Sequence, residues 1–176
     1  MFQIGDLVSY RAEGVCSIAD IRTERFGTIG GDAEYYILSP LRDQKSLLYV
    51  PVHNPQLCAL MRPLLTAEEI GALFLELRDE RMVWIPESRA RNVLYRDILS
   101  RGDRRELIVL VNSVCDRMLN EFETGQKATG TDENALRRAM ELLYDEFSVT
   151  CELPNETELL AAMQGKNELT GRVAYK

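Results

Sequence analysis

The chain contains one histidine, one tryptophan and four cysteines in 176 residues, and each scarcity removes a class of chemistry. His53 stands alone in the turn before Asn54–Pro55, so neither a Ser–His pair nor a zinc site of the usual kind can be assembled. Cys16, Cys58, Cys115 and Cys151 include no C-x-x-C pair and fall mostly within apolar runs, which predicts reduced core thiols rather than a disulfide or zinc framework. No run of 18 or more apolar residues occurs, and MFQIGDLVSY lacks the basic-then-apolar layout of a signal peptide. The expected location is the cytoplasm, with no membrane partner.

Motifs for nucleotide and hydrolytic chemistry are missing too. There is no G-x-x-x-x-G-K-[ST] loop, no strand-linked G-x-G-x-x-G, no H-E-x-x-H and no G-x-S-x-G. The glycines at 27, 30 and 31 fit a hairpin. Glu68–Glu69 and Asp132–Glu133 fall in first helical turns, where the helix dipole accounts for them. No catalytic residue, cofactor site or metal site is assigned, and a non-enzymatic protein is expected.

What the sequence does have is an uneven charge. Its net charge is −7, yet residues 78–105 carry 8 basic and 5 acidic groups, the only net-positive segment, while 106–176 carry 7 and 13. Within about a Debye length such a patch matters more than the total. The same stretch holds Trp84, followed by Arg89, Arg91, Arg96 and Arg101, with Arg81 just before. An aromatic beside guanidinium groups suits a protein that grips a nucleic-acid backbone and presses on a base step. Two placements of Trp84 fit the sequence equally, one at least partly exposed and one buried under the connector. The overall acidity limits the isolated protein to weak DNA affinity.

Patterning divides the chain. Up to residue 62, short β-branched and aromatic runs alternate with turn signals, predicting strands at 7–10, 15–23, 34–38 and 47–52 in a small Tudor- or SH3-like antiparallel barrel. That barrel reads either as a structural cap or, through an exposed edge strand, as a docking surface. Arg62–Pro63 closes it, because proline cannot extend a ladder. The sequence then turns helical. Thr66-Ala-Glu-Glu69 fits a capping box with Ile70, Leu73, Phe74 and Leu77 on one face. The next helix is expected to start at Pro86, bury Ala90, Leu94 and Ile98, and stop at Gly102. Asp103 caps a third helix with Leu107, Leu110, Val111, Val114 and Met118 along one side. A fourth opens at Thr131–Glu133 and carries Leu136, Met140, Leu143 and Phe147, and a short fifth runs from Pro154–Asn155 to Met163. The expectation is an α+β chain with a β domain over 1–63, an all-α domain over 64–165, and a fraying tail over 166–176.

These residues add up to a resemblance. MFQIGDLVSYRAEGVCSIADI, EYYILSP, LLYVPVHNPQL and MRPLLTAEEI, followed by YRDILSRGDRRELIVLVNSVCDRM and RRAMELLYDEFSV, resemble the CarD family (CarD/CdnL) of bacterial transcription regulators from residue 1 to about 149. The transcription–repair coupling factor carries a similar β module, but its helicase motifs are absent here. The resemblance implies a Tudor-like domain that docks on the β subunit of RNA polymerase. It also implies a helical domain that contacts promoter DNA at the upstream edge of the melted region and stabilises the open complex. It places the polymerase face at Arg22, Glu24, Arg25 and Phe26 and at Leu47, Leu48, Tyr49 and Val50. Glu24 and Tyr49 stand where the family is commonly basic. It assigns Trp84 as the wedge and Arg89, Arg91 and Arg96 to phosphates, although Trp84 lies about one helical turn, about 5 Å, further from Gly102–Asp103 than in the better-known members. The chain is expected to act as a monomer. The acidic balance of the helical part keeps a second reading open, an adaptor of the same fold that contacts polymerase without significant DNA contact.

Overall fold

The computed structural model describes residues 2–25, 31–120, 128–166 and 169. The chain divides into two compact units, Met1–Leu64 and Leu65–Lys176. The fold is α+β, as expected.

The first unit is a five-stranded antiparallel sheet: β1 (Leu7–Tyr10), β2 (Val15–Glu24), β3 (Ala33–Pro40), β4 (Leu48–Pro51) and β5 (Met61–Pro63). The pairing order is β4-β3-β2-β1-β5, so β4 and β5 are its two edges. A register shift between Ile18 and Asp20 interrupts the β2–β3 ladder, the kind of bulge that bends a strand and tightens its twist. Val8, Cys16, Ile18, Tyr36, Leu38, Val50 and Met61 fill the core.

Two elements differ from the sequence expectation, and both involve proline. Asn54–Pro55 opens a one-turn helix, α1 (Pro55–Cys58), in which the Asn54 side chain accepts from the Leu57 N–H and Pro55 takes the first helical position. The other is β5, which is not among the expected strands; Pro63 closes the β unit as expected, but as the last residue of this strand. It sits opposite Val8, on an edge strand where a missing N–H costs no ladder bond on the open side.

The second unit is helical: α2 (Ala67–Leu77), α3 (Ser88–Arg101), α4 (Arg104–Leu119), α5 (Gly130–Thr150) and α6 (Glu156–Met163). The Thr66–Glu69 capping box is present in both directions, and Ile70, Leu73, Phe74 and Leu77 are all buried. Asp103 accepts from the Arg105 and Glu106 N–H groups and so starts α4. Gly102, with φ 60°, takes the left-handed position that stops α3, and its N–H closes on the Ile98 carbonyl. Phe74 meets Phe147 edge to face at 5.6 Å in the core. Met118, expected on the buried side of α4, is exposed, while Ile108 is buried. Leu136 is half-buried and Ala135 and Ala139 line the core beside Met140, Leu143 and Phe147. Among the described residues no helix is long and apolar enough to cross a membrane, and all four cysteines are free thiols.

Candidate polymerase and nucleic-acid surfaces

In the β unit the alternation of β4 decides which side chains can be offered. Leu47 and Tyr49 point outward, 47% and 36% exposed, whereas Val50 is buried in the core and Leu48 packs against it. Leu48 and Val50 therefore contribute backbone, not side chains, to any contact along this edge. Tyr49 is paired in register with Ile37 and its ring meets that of Tyr35 edge to face at 6.3 Å. Arg22 lies opposite Tyr35 on β2. Its Nε donates to Glu24 at 2.6 Å and its Nη1 to Asp20 at 3.3 Å, a row of alternating charge along one strand face. The hydrogen bond from Arg22 to Glu24 raises the guanidinium's pKa, so it stays charged. Glu24 is thus a partner of Arg22. Arg25 is exposed, and Phe26 lies outside the described residues. Together these residues make an exposed edge strand, an outward aromatic pair and a charged row with an arginine at its centre.

Residues 2–65 match the family model of the CarD-like/TRCF RID domain. The match falls on the N-terminal unit and does not extend into the helical one. No curated protein matches the chain. The RID match supports the CarD-like resemblance over this span, and a domain of this kind points to RNA polymerase interaction in transcription regulation.

In the helical unit the arginine stretch sorts into three groups. Arg91 was expected on a phosphate, but it is only 4% exposed. Its Nε and Nη2 donate to Asp132 at 2.9 and 2.8 Å, and its Nη1 to the carbonyls of Ile85 and Pro86, both at 2.8 Å. Its guanidinium is turned inward. Arg81 pairs with Asp116, Arg101 with Asp97 and Glu106, Arg105 with Glu76, and the buried Arg104 with Glu146. Exposed pairs of this kind contribute little to stability, yet each neutralises a charge that DNA would otherwise meet.

Arg78, at the end of α2, and Arg89 and Arg96 remain, all exposed and without an ion-pair partner among the described residues. Of these, Arg89 and Arg96 lie on α3. Seven residues apart on α3, they sit on one face about 10 Å from each other, with exposed Asn92, Val93 and Ser100 along the same stripe. Ile98 is buried as expected, but one and two turns earlier the buried face of α3 is displaced by one residue from the expected one. Arg91, Tyr95 and Ile98 are buried, while Ala90 and Leu94 are half-buried. The helix begins at Ser88 with Glu87 as its cap, which leaves Pro86 before the helix instead of in its first turn.

Trp84 is half-buried. The Arg91 guanidinium lies over its ring at 4.4 Å from the centroid, and that of Arg117, from α4, at 4.9 Å. The indole lies between the two sequence placements, half-buried and outside the buried core, while its neighbour Val83 is 88% exposed.

Behind Arg91 is a carboxylate, Asp132, that sequence patterning assigns only to a first helical turn. Asp132 is fully buried and receives five donors: two from Arg91, the Tyr95 hydroxyl at 2.9 Å, and the Thr129 N–H and hydroxyl at 2.8 and 2.7 Å. Burial alone would raise its pKa, but the Arg91, Thr129 and Tyr95 hydrogen bonds outweigh that and hold the carboxyl well below the usual range. Burial and the Asp132 carboxylate push the Tyr95 hydroxyl above its ordinary value. A bonded pair 41 positions apart leaves no periodic trace. The one hint was a Thr-x-x-Asp start, which capping alone explains.

Proposed function

We propose that this protein is a non-enzymatic transcription regulator. Its RID domain docks on the β subunit of RNA polymerase through the β4 edge, and its helical unit stabilises the open promoter complex by contacting DNA at the upstream edge of the bubble. The observation that carries the reading is the RID match on a unit whose β4 strand is a sheet edge, with Tyr49 on it directed outward and Leu47 exposed just before it. Strand addition at such an edge draws affinity from main-chain hydrogen bonds and specificity from alternate side chains. DNA contact is assigned to Arg89 and Arg96 on phosphates and to the Val83–Trp84 tip as the apolar element. Arg91 is removed from the phosphate set and becomes a support. Two arginines give weak binding by themselves, and tethering on polymerase supplies the local concentration that makes the contact count. The groove between α2, α3 and α4 has an apolar floor of Leu77, Leu94, Ile98 and Leu110 beneath ion-paired rims, which suits packing better than catalysis.

One observation favours the adaptor reading. Five arginines of the basic stretch, Arg81, Arg91, Arg101, Arg104 and Arg105, are consumed in internal pairs. Salt dependence of promoter binding by the polymerase–regulator complex separates the two. The DNA-contact reading expects the slope of log K against log salt to fall in magnitude by about 2 when Arg89 and Arg96 are both changed to Ala. An unchanged slope, with the factor still bound to polymerase, leaves the adaptor.

A further inference from the structure

We infer that Arg91, fixed by Asp132, is a positioning residue for Trp84, and that with Arg117 it sets the pose in which the connector between α2 and α3 is offered to DNA. This rests on the proposed DNA contact for its purpose, though its geometry stands without it. Residues 81–85 belong to no helix or strand, so side chains must fix their path. They do so at both ends. The Met82 N–H donates to Ser113 Oγ at 2.9 Å, and that hydroxyl donates to the Val109 carbonyl at 2.6 Å, which ties the connector to α4. Arg81 pairs with Asp116 on the same helix and donates to the carbonyls of Arg78 and Glu80. At the other end Arg91 Nη1 holds the carbonyls of Ile85 and Pro86. Between these clamps lies Trp84, with guanidiniums from α3 and α4 over its ring, and beside it Val83 projects to solvent.

Arg91 can serve this way because Asp132 engages the opposite side of its guanidinium with two parallel hydrogen bonds, a fork that lysine cannot reproduce. Asp132 is in turn held by Thr129 and Tyr95, so the orientation of the indole is referred back to the N-terminus of α5. A pair that served only the core would need no remaining donor on the connector and no indole beside it. A buried ion pair can also be exchanged for apolar side chains of similar volume at little or no cost in stability. That exchange separates positioning from packing.

The experiment compares wild type with Arg91→Met/Asp132→Leu, Arg117→Met, Arg91→Lys and Trp84→Ala. Trp84 is the sole tryptophan, so emission wavelength and acrylamide quenching report its pose alone, and thermal melts report the fold. Open-complex lifetime with polymerase gives the functional readout. We expect the Met/Leu variant to melt cooperatively near wild type while its Trp84 emission shifts to the red, its quenching constant rises at least twofold, and its lifetime extension drops to that of Trp84→Ala. If the double variant does not fold, Arg117→Met and Arg91→Lys, which keep Asp132, are expected to show the same direction of change. A folded Met/Leu variant with wild-type emission and quenching overturns the inference, as does one with altered fluorescence and full lifetime extension while Trp84→Ala has lost it. Wild type that fails to extend the lifetime overturns the proposed function instead, and the fluorescence still decides the positioning.

Discussion

Arg91 and Asp132, 41 positions apart in sequence, share two parallel hydrogen bonds of 2.9 and 2.8 Å in the interior of the helical unit. The pair joins the start of α3 to the start of α5, and Arg91 also reaches the connector that carries Trp84. It therefore has consequences for stability, for pH response and for the surface.

Breaking the pair from one side is costly. Asp132→Ala leaves a guanidinium in a buried site without its carboxylate and removes the acceptor of Thr129 and Tyr95. A loss of about 3–5 kcal/mol in unfolding free energy is expected. Urea denaturation of the full chain, followed by Trp84 fluorescence, measures it.

Acid should act through the same group. The Asp132 carboxyl is held below its ordinary value of 3.8, so the folded state binds its proton less readily than the unfolded chain. The stability it contributes is present above about pH 4 and is lost as pH falls below that value towards the depressed folded pKa. Tyr95 is raised above 10.0, so its contribution is present below pH 10 and lost at higher pH. Melts at pH 2.5–6 should show a steeper acid decline in wild type than in Asp132→Asn. Equal slopes would assign the acid response to other carboxylates.

The alternation of β4 predicts a division of effects. Tyr49→Ser should weaken binding to the polymerase β subunit with little change in melting temperature, since the side chain faces outward. Val50→Ala, one residue on, removes core volume and is expected to cost about 2 kcal/mol in RID stability. Binding and melting measured on the same preparations check both halves.

Cys16 is fully buried, and burial pushes its thiol up to about 11. A thiol-specific reagent at pH 8 should modify it only as fast as the sheet opens. Mass mapping of modification in native buffer and in denaturant tests this.

Much of the fold was legible where the signal was local. The Thr66-x-x-Glu69 box, the 3.6-residue stripe of α2, Asp103 before α4 and Gly102 at the end of α3 each act within one or two turns, and each is found as expected. The strands were legible from period-two patterning, apart from β5, where a proline was weighed as a breaker although an edge strand tolerates it. α1 escapes the pattern for the opposite reason, since Asn54–Pro55 has the composition of a turn and is also a cap followed by a favoured first helical residue. The candidate DNA surface was legible only as composition. Arginines count alike in a sequence, but whether each is turned inward or outward depends on carboxylates such as Asp132, Glu76 and Asp116 brought in from other helices.

The most direct test of the account is the lifetime of open complexes at one promoter, challenged with competitor, without the factor, with wild type and with Arg89→Ala/Arg96→Ala. The account predicts a longer lifetime with wild type and loss of most of that extension in the double variant, with binding to the β subunit retained by both. No change in lifetime with wild type, while it is bound to polymerase, would contradict it.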